Sequence, residues 1–469
     1  MNDRIVDTRA PDDWSHEMKR DWDDRARRDA KWFINPFRFQ QTDSEFDESG
    51  QAAVENLVLE DLDLLAPDVD TKSLRVLELG CGIGRMTRFL AQAFGEVHAT
   101  DVSGEMIRQA QARLGDLDNI HFHETSGYDF AALPSEHFDL AFSAFVFQHV
   151  PSAEIISSNL RDAYRLLKPG GCFKFQTNSL TAFDFEEIEK DTWMGASLPE
   201  SAIRRLAEDV GAQILSLAGS GSQRCWTILR KPSVDKAPVA LSGPLRIVFH
   251  GLTDRPSQKE IPINGAHGSL TLLVSGLDSA AVDCNSVCAD VSGLEVLPQY
   301  VGPVRKRFLE AARSVDTVPL GSLTRIDLRL PVGAPEGAAE VRIQLTSGEA
   351  SPPVRVAFIV PQPVIPRIVV LAEAANGGSK VRLGGAESVL RLDVEGLDET
   401  ADCGNIRIKI GDRILKPNMV AVIDKGGLHR IEVQLPGNLT VGQSEARLYF
   451  GTIESPPVSL EVLPAGDSA

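Results

Sequence analysis

The spacing of apolar residues divides the chain into two unlike halves. In the first, short continuous apolar runs alternate with stretches whose apolar residues recur every three to four positions. In the second, from about Gly243 onward, the period is two, interrupted by Gly, Pro and Asn. LRVLEL (74–79) predicts a buried strand and GRMTRFLAQAFG a helix closed by Gly95. EVHAT predicts the next strand and DVSGEMIRQAQARLG a second helix, with Ser103 as N-cap and Gly115 as its stop. NIHFHE, FDLAFSAFVF and CFKFQTN follow as strands. Between the last two, Ile155, Ile156, Leu160, Ala163 and Leu167 mark a helical face. Strand and helix alternating at this spacing predict an open, mostly parallel sheet covered on both faces, with its ligand site at the carboxyl ends of the strands.

The second half contains an internal repeat. SLTLLVSGLDSAAVDCNSV (269–287) matches VLRLDVEGLDETADCGNI (389–406) when one residue is skipped, RIDLRLP (325–331) matches RIEVQLP (430–436), and SPPVRVAFIV (351–360) matches SPPVSLEVLP (455–464). The shared block order predicts a duplicated all-β module of two-sheet type. VRKRFLEAARSVD (304–316) breaks the pattern and is expected as a short helix or loop inserted in the first copy. KPSVDKAPVALSGP links the halves and PQPVIP links the copies. The expected domains are therefore a helical segment 1–60, an α/β core 61–232, a linker 233–244, and β modules 245–361 and 362–469.

Composition narrows the classes. A length of 469 residues calls for two or three domains, and 43% hydrophobic with 24% charged residues is a globular balance. The net charge of -18 argues against nucleic acid or an anionic membrane face as partner. No run has the length of a membrane span and the N-terminus lacks a secretory pattern, so a cytoplasmic location is expected. Six cysteines without a CxxC pair read as reduced thiols. Cys284 and Cys403 fall at corresponding points of the two copies. His98, His121, His123 and His137 are scattered without metal-ligand spacing, and no metal is expected.

The candidate chemistry sits in VLELGCGIGR (76–85), where strand, glycine turn and helix follow one another. Gly80 and Gly82 would bring backbone N–H groups to a ligand, Gly84 would permit close packing, and the helix start favours an anionic group. Asp101, 17 residues beyond Gly84, is placed to accept hydrogen bonds from ribose hydroxyls. A dinucleotide dehydrogenase and an S-adenosylmethionine (AdoMet) methyltransferase both fit, although a dehydrogenase prefers glycine where this chain has Arg85.

ELGCGIGRMTRFLA, the acidic DVS tip, FDLAFSAFVFQHVP and LLKPGGCFKFQTN, in this order, resemble the class I AdoMet-dependent methyltransferases of the small-molecule branch, over about Trp14 to Lys231. The resemblance implies a seven-stranded Rossmann-like sheet whose last strand is antiparallel, formed here by ILSLAGS and QRCWTILRK. It implies AdoMet as cofactor, with Gly80, Cys81 and Gly82 along its methionine part, Glu78 organising the loop from beneath, Asp101 on the ribose, and Val102 and Met106 flanking the adenine. Ser126, Gly127 and Tyr128 would meet the adenine edge; many relatives place an acid early in this turn, whereas Asp129 comes late here. Ser143 to Val146, including Ala144, would face the amine and sulfonium.

His149, just past the fourth strand, is the candidate general base, and Gln148, Gln176 and Asn178 are candidate acceptor contacts. Trp22, Ala26, Ala30 and Phe33 recur at helical spacing, and WDxRA-type helices serve as lids in related enzymes. The C-terminal copies resemble bacterial immunoglobulin-like domains of the IPT/TIG type, which bind or recruit. The expected function is methyl transfer to oxygen or nitrogen of a small-molecule, glycan or lipid-linked acceptor, with a protein or carbohydrate partner for the modules. The alternative is a non-catalytic binding or scaffold protein.

Overall fold

The computed structural model describes residues 11–35, 41–179, 192–193, 195–233, 241–251, 260–264, 267–279, 281–304, 322–330, 336–359, 365–373, 380–383, 388–397, 401, 406–423, 427–450 and 453–464. The 304–316 insertion past Val304, Cys403, and most of both linkers lie outside these residues. The chain forms two compact units, 1–359 and 360–469.

The first unit opens with α1 (Pro11–Ile34), interrupted at Asp29, whose backbone is extended and whose side chain accepts from the Trp32 N–H at 3.1 Å. Next come α2 (Asp43–Leu57), started by a Thr42/Glu45 capping box, and the short α3 (Leu62–Leu65). The sheet then builds through β1 (Arg75–Leu79), α4 (Thr87–Ala93), β2 (Glu96–Asp101), α5 (Gly104–Leu114), β3 (Ile120–Glu124), β4 (Phe138–Ser143), α6 (Ala153–Leu166) and β5 (Leu167–Thr177). Then α7 (Glu200–Val210) leads into the hairpin β6 (Gln213–Ala218) and β7 (Cys225–Arg230). The order is β3-β2-β1-β4-β5-β7-β6; β1 to β5 pair in parallel, and β7 runs antiparallel between β5 and β6.

The apolar runs are continuous because both faces are covered: Leu77, Ala141 and Phe173 pack toward α6 and α7, while Val76, Leu140 and Phe142 pack with α2, α4 and Phe94. The caps are local, with Ser103 Oγ accepting from Met106 N–H and Ser152 Oγ from Glu154 and Ile155 N–H. The fourth apolar run is shorter as a strand than its sequence suggests. It stops at Ser143, and a single 3-10 turn follows at Phe147–His149.

The rest of this unit is all β: β8 (Leu241–Gly251), β9 (Glu260–Asn264), β10 (His267–Leu277), β11 (Val287–Val291), β12 (Leu294–Val296), β13 (Pro298–Pro303), β14 (Thr324–Leu330), β15 (Gly337–Leu345) and β16 (Val354–Ile359). One sheet runs β8-β10-β14-β13, the other β12-β11-β15-β16-β9. The second unit holds β17 (Arg367–Glu373), β18 (Lys380–Arg382), β19 (Val389–Glu395), β20 (Ile406–Ile410), β21 (Arg413–Leu415), β22 (Met419–Val422), β23 (His429–Gln434), β24 (Gly442–Phe450), β25 (Ile453–Glu454) and β26 (Val458–Leu463). Its sheets run β17-β19-β23-β22 and β21-β20-β24-β26-β18, the same order as the first copy, including the parallel pairing of the short second strand with the last. The repeated SPP is explained too. Ser351 Oγ accepts from Ile343 N–H at 3.0 Å and Ser455 Oγ from Leu448 N–H at 2.9 Å, so one serine holds the same corner in both copies.

The first copy is joined to the α/β sheet. Tyr300 of β13 pairs with Ser216 of β6, and Cys284 N–H donates to Ile214 C=O at 2.9 Å. Beside this seam the buried Arg204 of α7 donates to the carbonyls of Cys284 (2.9 Å) and Pro298 (2.8 Å), to Asn285 Oδ1 (2.9 Å) and to Glu200 (2.7 Å). Replacing Arg204 by Met strands these buried acceptors. The expected loss is about 3 kcal/mol of first-unit stability in urea unfolding, and Arg204→Lys, lacking the planar fork, recovers only a minor part.

Candidate active site

The turn after β1 is shaped by what presses on it. Gly80 (φ 71°) and Gly82 (φ 55°) lie in the left-handed region. A Cβ at Gly80 would sit 2.3 Å from Val146 Cγ2, and one at Gly82 would sit 2.6 Å from Ile34 Cδ1. Side chains are therefore forbidden by two protein neighbours, the segment after β4 and the end of α1. Gly84 packs against Leu114 of α5.

The Gly82 N–H does not point to open space as the sequence suggests. It donates to Asp101 Oδ2 at 2.9 Å, because the β2 tip lies alongside the turn. Cys81 N–H likewise donates to Thr100 C=O at 2.9 Å, and its thiol is buried with Ala99 and Ile107. Burial drives that thiol pKa well up, which suits a packed residue and not a nucleophile. Glu78 is buried beneath the turn and accepts from Thr87 Oγ1 at 2.6 Å at the start of α4. Desolvation raises its pKa to about 7.

Asp101 is half-buried at the end of β2. Oδ2 takes the Gly82 N–H and Oδ1 the Ser103 N–H at 2.9 Å, leaving each oxygen a further lone pair for a ligand hydroxyl. Burial raises its pKa to about 6 against the pull of these N–H groups. Asp23 of α1, which sequence reading passed over, accepts from Ser103 Oγ at 2.6 Å and from Glu105 N–H at 3.1 Å, and so docks α1 on the start of α5. Its only signal was its place within the charged WDDRA face.

Met106 is buried with Ala26, Ala30, Phe46 and Ile83, and Val102 lies by Gly127 and Met18. In the turn after β3, Ser126 Oγ accepts from the N–H groups of Tyr128 (3.1 Å) and Asp129 (3.0 Å), and Gly127 C=O accepts from Asn159 at 2.9 Å. Ser15 Oγ of α1 donates to Ser126 C=O. At the tip of β4, Ser143 is buried and Ala144 half-buried. Phe145 then adopts φ 61°, a strained backbone for a bulky residue that no sequence signal announced.

His149 lies in a group of rings from α1 and beyond. Trp22 meets it edge-on at 5.3 Å, Trp193 is 5.0 Å away, and Trp32 stacks on Trp193 at 6.2 Å with Phe33 against both. Arg25 lies over Trp22 at 4.7 Å. His149 Nδ1 lies 2.7 Å from Trp193 C=O, and a carbonyl only accepts, so Nδ1 carries the proton. Nε2 is then the basic nitrogen, 3.2 Å from the Gln148 amide nitrogen. Gln176 and Asn178, expected at the acceptor rim, are buried; Gln176 donates to Gln223 C=O at 2.7 Å and Asn178 C=O accepts from Leu198 N–H at 2.7 Å.

The sheet order, the glycine turn and the acidic strand tip define a nucleotide-binding α/β domain. Residues 76–171 match the family model described as "Methyltransferase domain". Over 155 residues the chain is 32% identical to malonyl-[acyl-carrier protein] O-methyltransferase of Pseudescherichia vulneris, covering 33% of this chain and 57% of the relative. It is also 32% identical over 127 residues to ubiquinone biosynthesis O-methyltransferase of Xanthomonas oryzae pv. oryzae, covering 26% and 51%. The chain thus spans about half the length of these curated relatives. Among solved structures, magnesium protoporphyrin IX methyltransferase from Synechocystis PCC 6803 with bound SAH aligns at TM-score 0.33 and 20% identity, over 43% of this chain and 93% of that one. Residues 76–171 thus carry a methyltransferase domain, a class whose methyl donor is AdoMet.

The raised Glu78 pKa makes a stability prediction. The fold favours the neutral carboxyl, so this contribution is full below the ordinary value of 4.5 and is lost as pH rises through about 7. Glu78→Gln keeps an acceptor for Thr87 without the buried charge. It should stabilise the protein by about 2 kcal/mol at pH 8 and by nearly nothing at pH 4.5, measured by urea unfolding at both pH values.

Proposed function

We propose that this protein is an AdoMet-dependent O-methyltransferase acting on a hydroxyl of a small acceptor, free or carried on a glycan or lipid, whose apolar part lies against Trp22, Trp32, Phe33 and Trp193. The observation carrying this reading is His149. Its Nδ1–H is committed to the Trp193 carbonyl, which makes Nε2 the basic nitrogen, in a ring cluster directly after the β4 tip and 3.2 Å from the Gln148 amide, whose place the acceptor hydroxyl would take. The names of the O-methyltransferase relatives support oxygen over nitrogen.

AdoMet supplies a methyl group already activated on a sulfonium. The chain's task is then to position the acceptor and take its proton. Asp101 would hold the ribose through its remaining lone pairs, with Glu78 and Thr87 keeping the glycine turn in place. Gly80, Cys81, Ser143 and Ala144 would border the methionine part, and Val102, Met106, Ser126, Gly127 and Tyr128 the adenine. His149 Nε2 would take the proton of the acceptor hydroxyl as the methyl group passes from the sulfonium, which leaves as the neutral thioether of S-adenosylhomocysteine, and the Trp193 carbonyl would steady the resulting imidazolium.

We read the two β copies as immunoglobulin-like recruitment modules for a protein or carbohydrate partner. Two sheets around one apolar core in the second copy support this, as do its outward Ile414 (65% exposed) and Val422 (54%). Among the described residues no helix is long and apolar enough to cross a membrane.

Calorimetric titration should show micromolar binding of S-adenosylhomocysteine, at least tenfold weaker in Asp101→Ala, about 1.4 kcal/mol. In wild type the affinity should fall below about pH 6 as Asp101 protonates, and in Asp101→Asn that pH dependence should disappear. With an acceptor in hand, His149→Gln should lower kcat by about 10²-fold and remove the acid limb of the pH–rate profile. An unchanged kcat would overturn His149 as the group that takes the acceptor's proton. Failure of any adenosyl ligand to bind would overturn the enzyme reading.

A further inference from the structure

Four of the chain's nine histidines, distant in sequence, meet on one face of the α/β sheet. Side chains two apart on a strand share a face, so Glu96 and His98 of β2 point the same way. Parallel register sets His98 opposite His121 and Thr100 opposite His123, which adds both β3 histidines to that face. His137, immediately before β4, completes the group. The His98 ring lies 4.7 Å from His121, 5.1 Å from His123 and 5.7 Å from His137.

We propose that Glu96, His98 and His137, with His121 as fourth donor, form a binding site for one divalent transition-metal ion of the zinc type. One donor atom from each of Glu96, His98 and His137 already lies within 4.8 Å of the others. Tetrahedral zinc, with ligands about 2.0–2.2 Å from the metal, needs donors about 3.4 Å apart, within reach of side-chain rotation. Glu96 Oε1 is the point of convergence, 2.9 Å from His98 Nε2 and 3.3 Å from His121 Nε2. Its other oxygen is held by Arg75 Nε at 2.9 Å, which fixes the carboxylate plane.

The surroundings are also those of a ligand set. His123 Nε2 lies 3.0 Å from His98 Nδ1, the outer hydrogen bond that orients a coordinating imidazole. Coordination through His98 Nε2 moves that ring's proton to Nδ1, where His123 accepts it. Imidazole with a single carboxylate suits zinc, cobalt or nickel over calcium or magnesium. His98 lies three residues before Asp101, about 10 Å along β2, so the metal is a clasp and takes no part in methyl transfer. It ties β3, whose sole sheet neighbour among the described residues is β2, to β2 and to the start of β4.

The test is titration of Zn²⁺ and Co²⁺ into the full chain after chelator treatment and dialysis. Expected are about one equivalent bound in the micromolar range or tighter, a tetrahedral Co²⁺ absorption without a thiolate band, and a Tm that rises with Zn²⁺. His98→Asn and, separately, the more peripheral His137→Asn should each weaken binding by at least 100-fold and abolish the Tm rise, while keeping the wild-type circular dichroism. His123→Asn should cost about 10–100-fold. Binding weaker than about 1 mM, a thiolate band, or binding that both His98→Asn and His137→Asn leave intact would overturn the proposal.

Discussion

The two oxygens of Asp101 each take one backbone N–H, from Gly82 on one side and Ser103 on the other, so a single carboxylate fixes the spacing of the first two strand-to-helix turns. The neighbouring contacts follow from that spacing. Gly82 can bring its N–H to β2 only with a left-handed backbone, and that backbone leaves room for Ile34 of α1 and no room for a side chain. Ser103, held by its own N–H, presents its hydroxyl to Asp23 of α1. The carboxylate that would bind a ribose also positions the helix that covers it.

The second dependence runs through the β4 tip. Val146 presses on Gly80, which requires the chain to reverse within a few residues of Ser143, and Phe145 takes the strained conformation that makes this reversal. The 3-10 turn beyond it delivers His149 to the Trp22 and Trp193 rings. A local backbone cost of about 1–3 kcal/mol is thus offset by packing on both sides of the turn.

What the sequence revealed depended on the range of each interaction. The glycine turn, the Ser103 cap and the open, mostly parallel sheet are governed by neighbours a few residues apart or by strand-helix alternation, and all were legible. The repeat was legible because identical sheet order requires apolar alternation in identical places. By contrast, the capping of α5 by Asp23, the inward turn of Gln176 and the pairing of Arg204 with carbonyls some 80 to 94 residues away depend on tertiary placement. The histidines were missed for a related reason. Metal-ligand spacing is a local pattern, whereas strand parity and register brought these four together from two strands and the approach to a third.

The seam between β6 and β13 also bears on how such a chain can arise and be divided. A strand at the border of a sheet offers unpaired N–H and C=O groups to any other strand it meets. In this protein the first β copy lies against that border, with Tyr300 opposite Ser216 and Cys284 bonded to Ile214. These bonds cover part of the β6 border and extend the sheet across the seam. Cutting the gene between the halves would uncover β6, and a lineage that shed the first copy would need a new guard for that edge. The second copy is compact in its own right, with two sheets around its own apolar core.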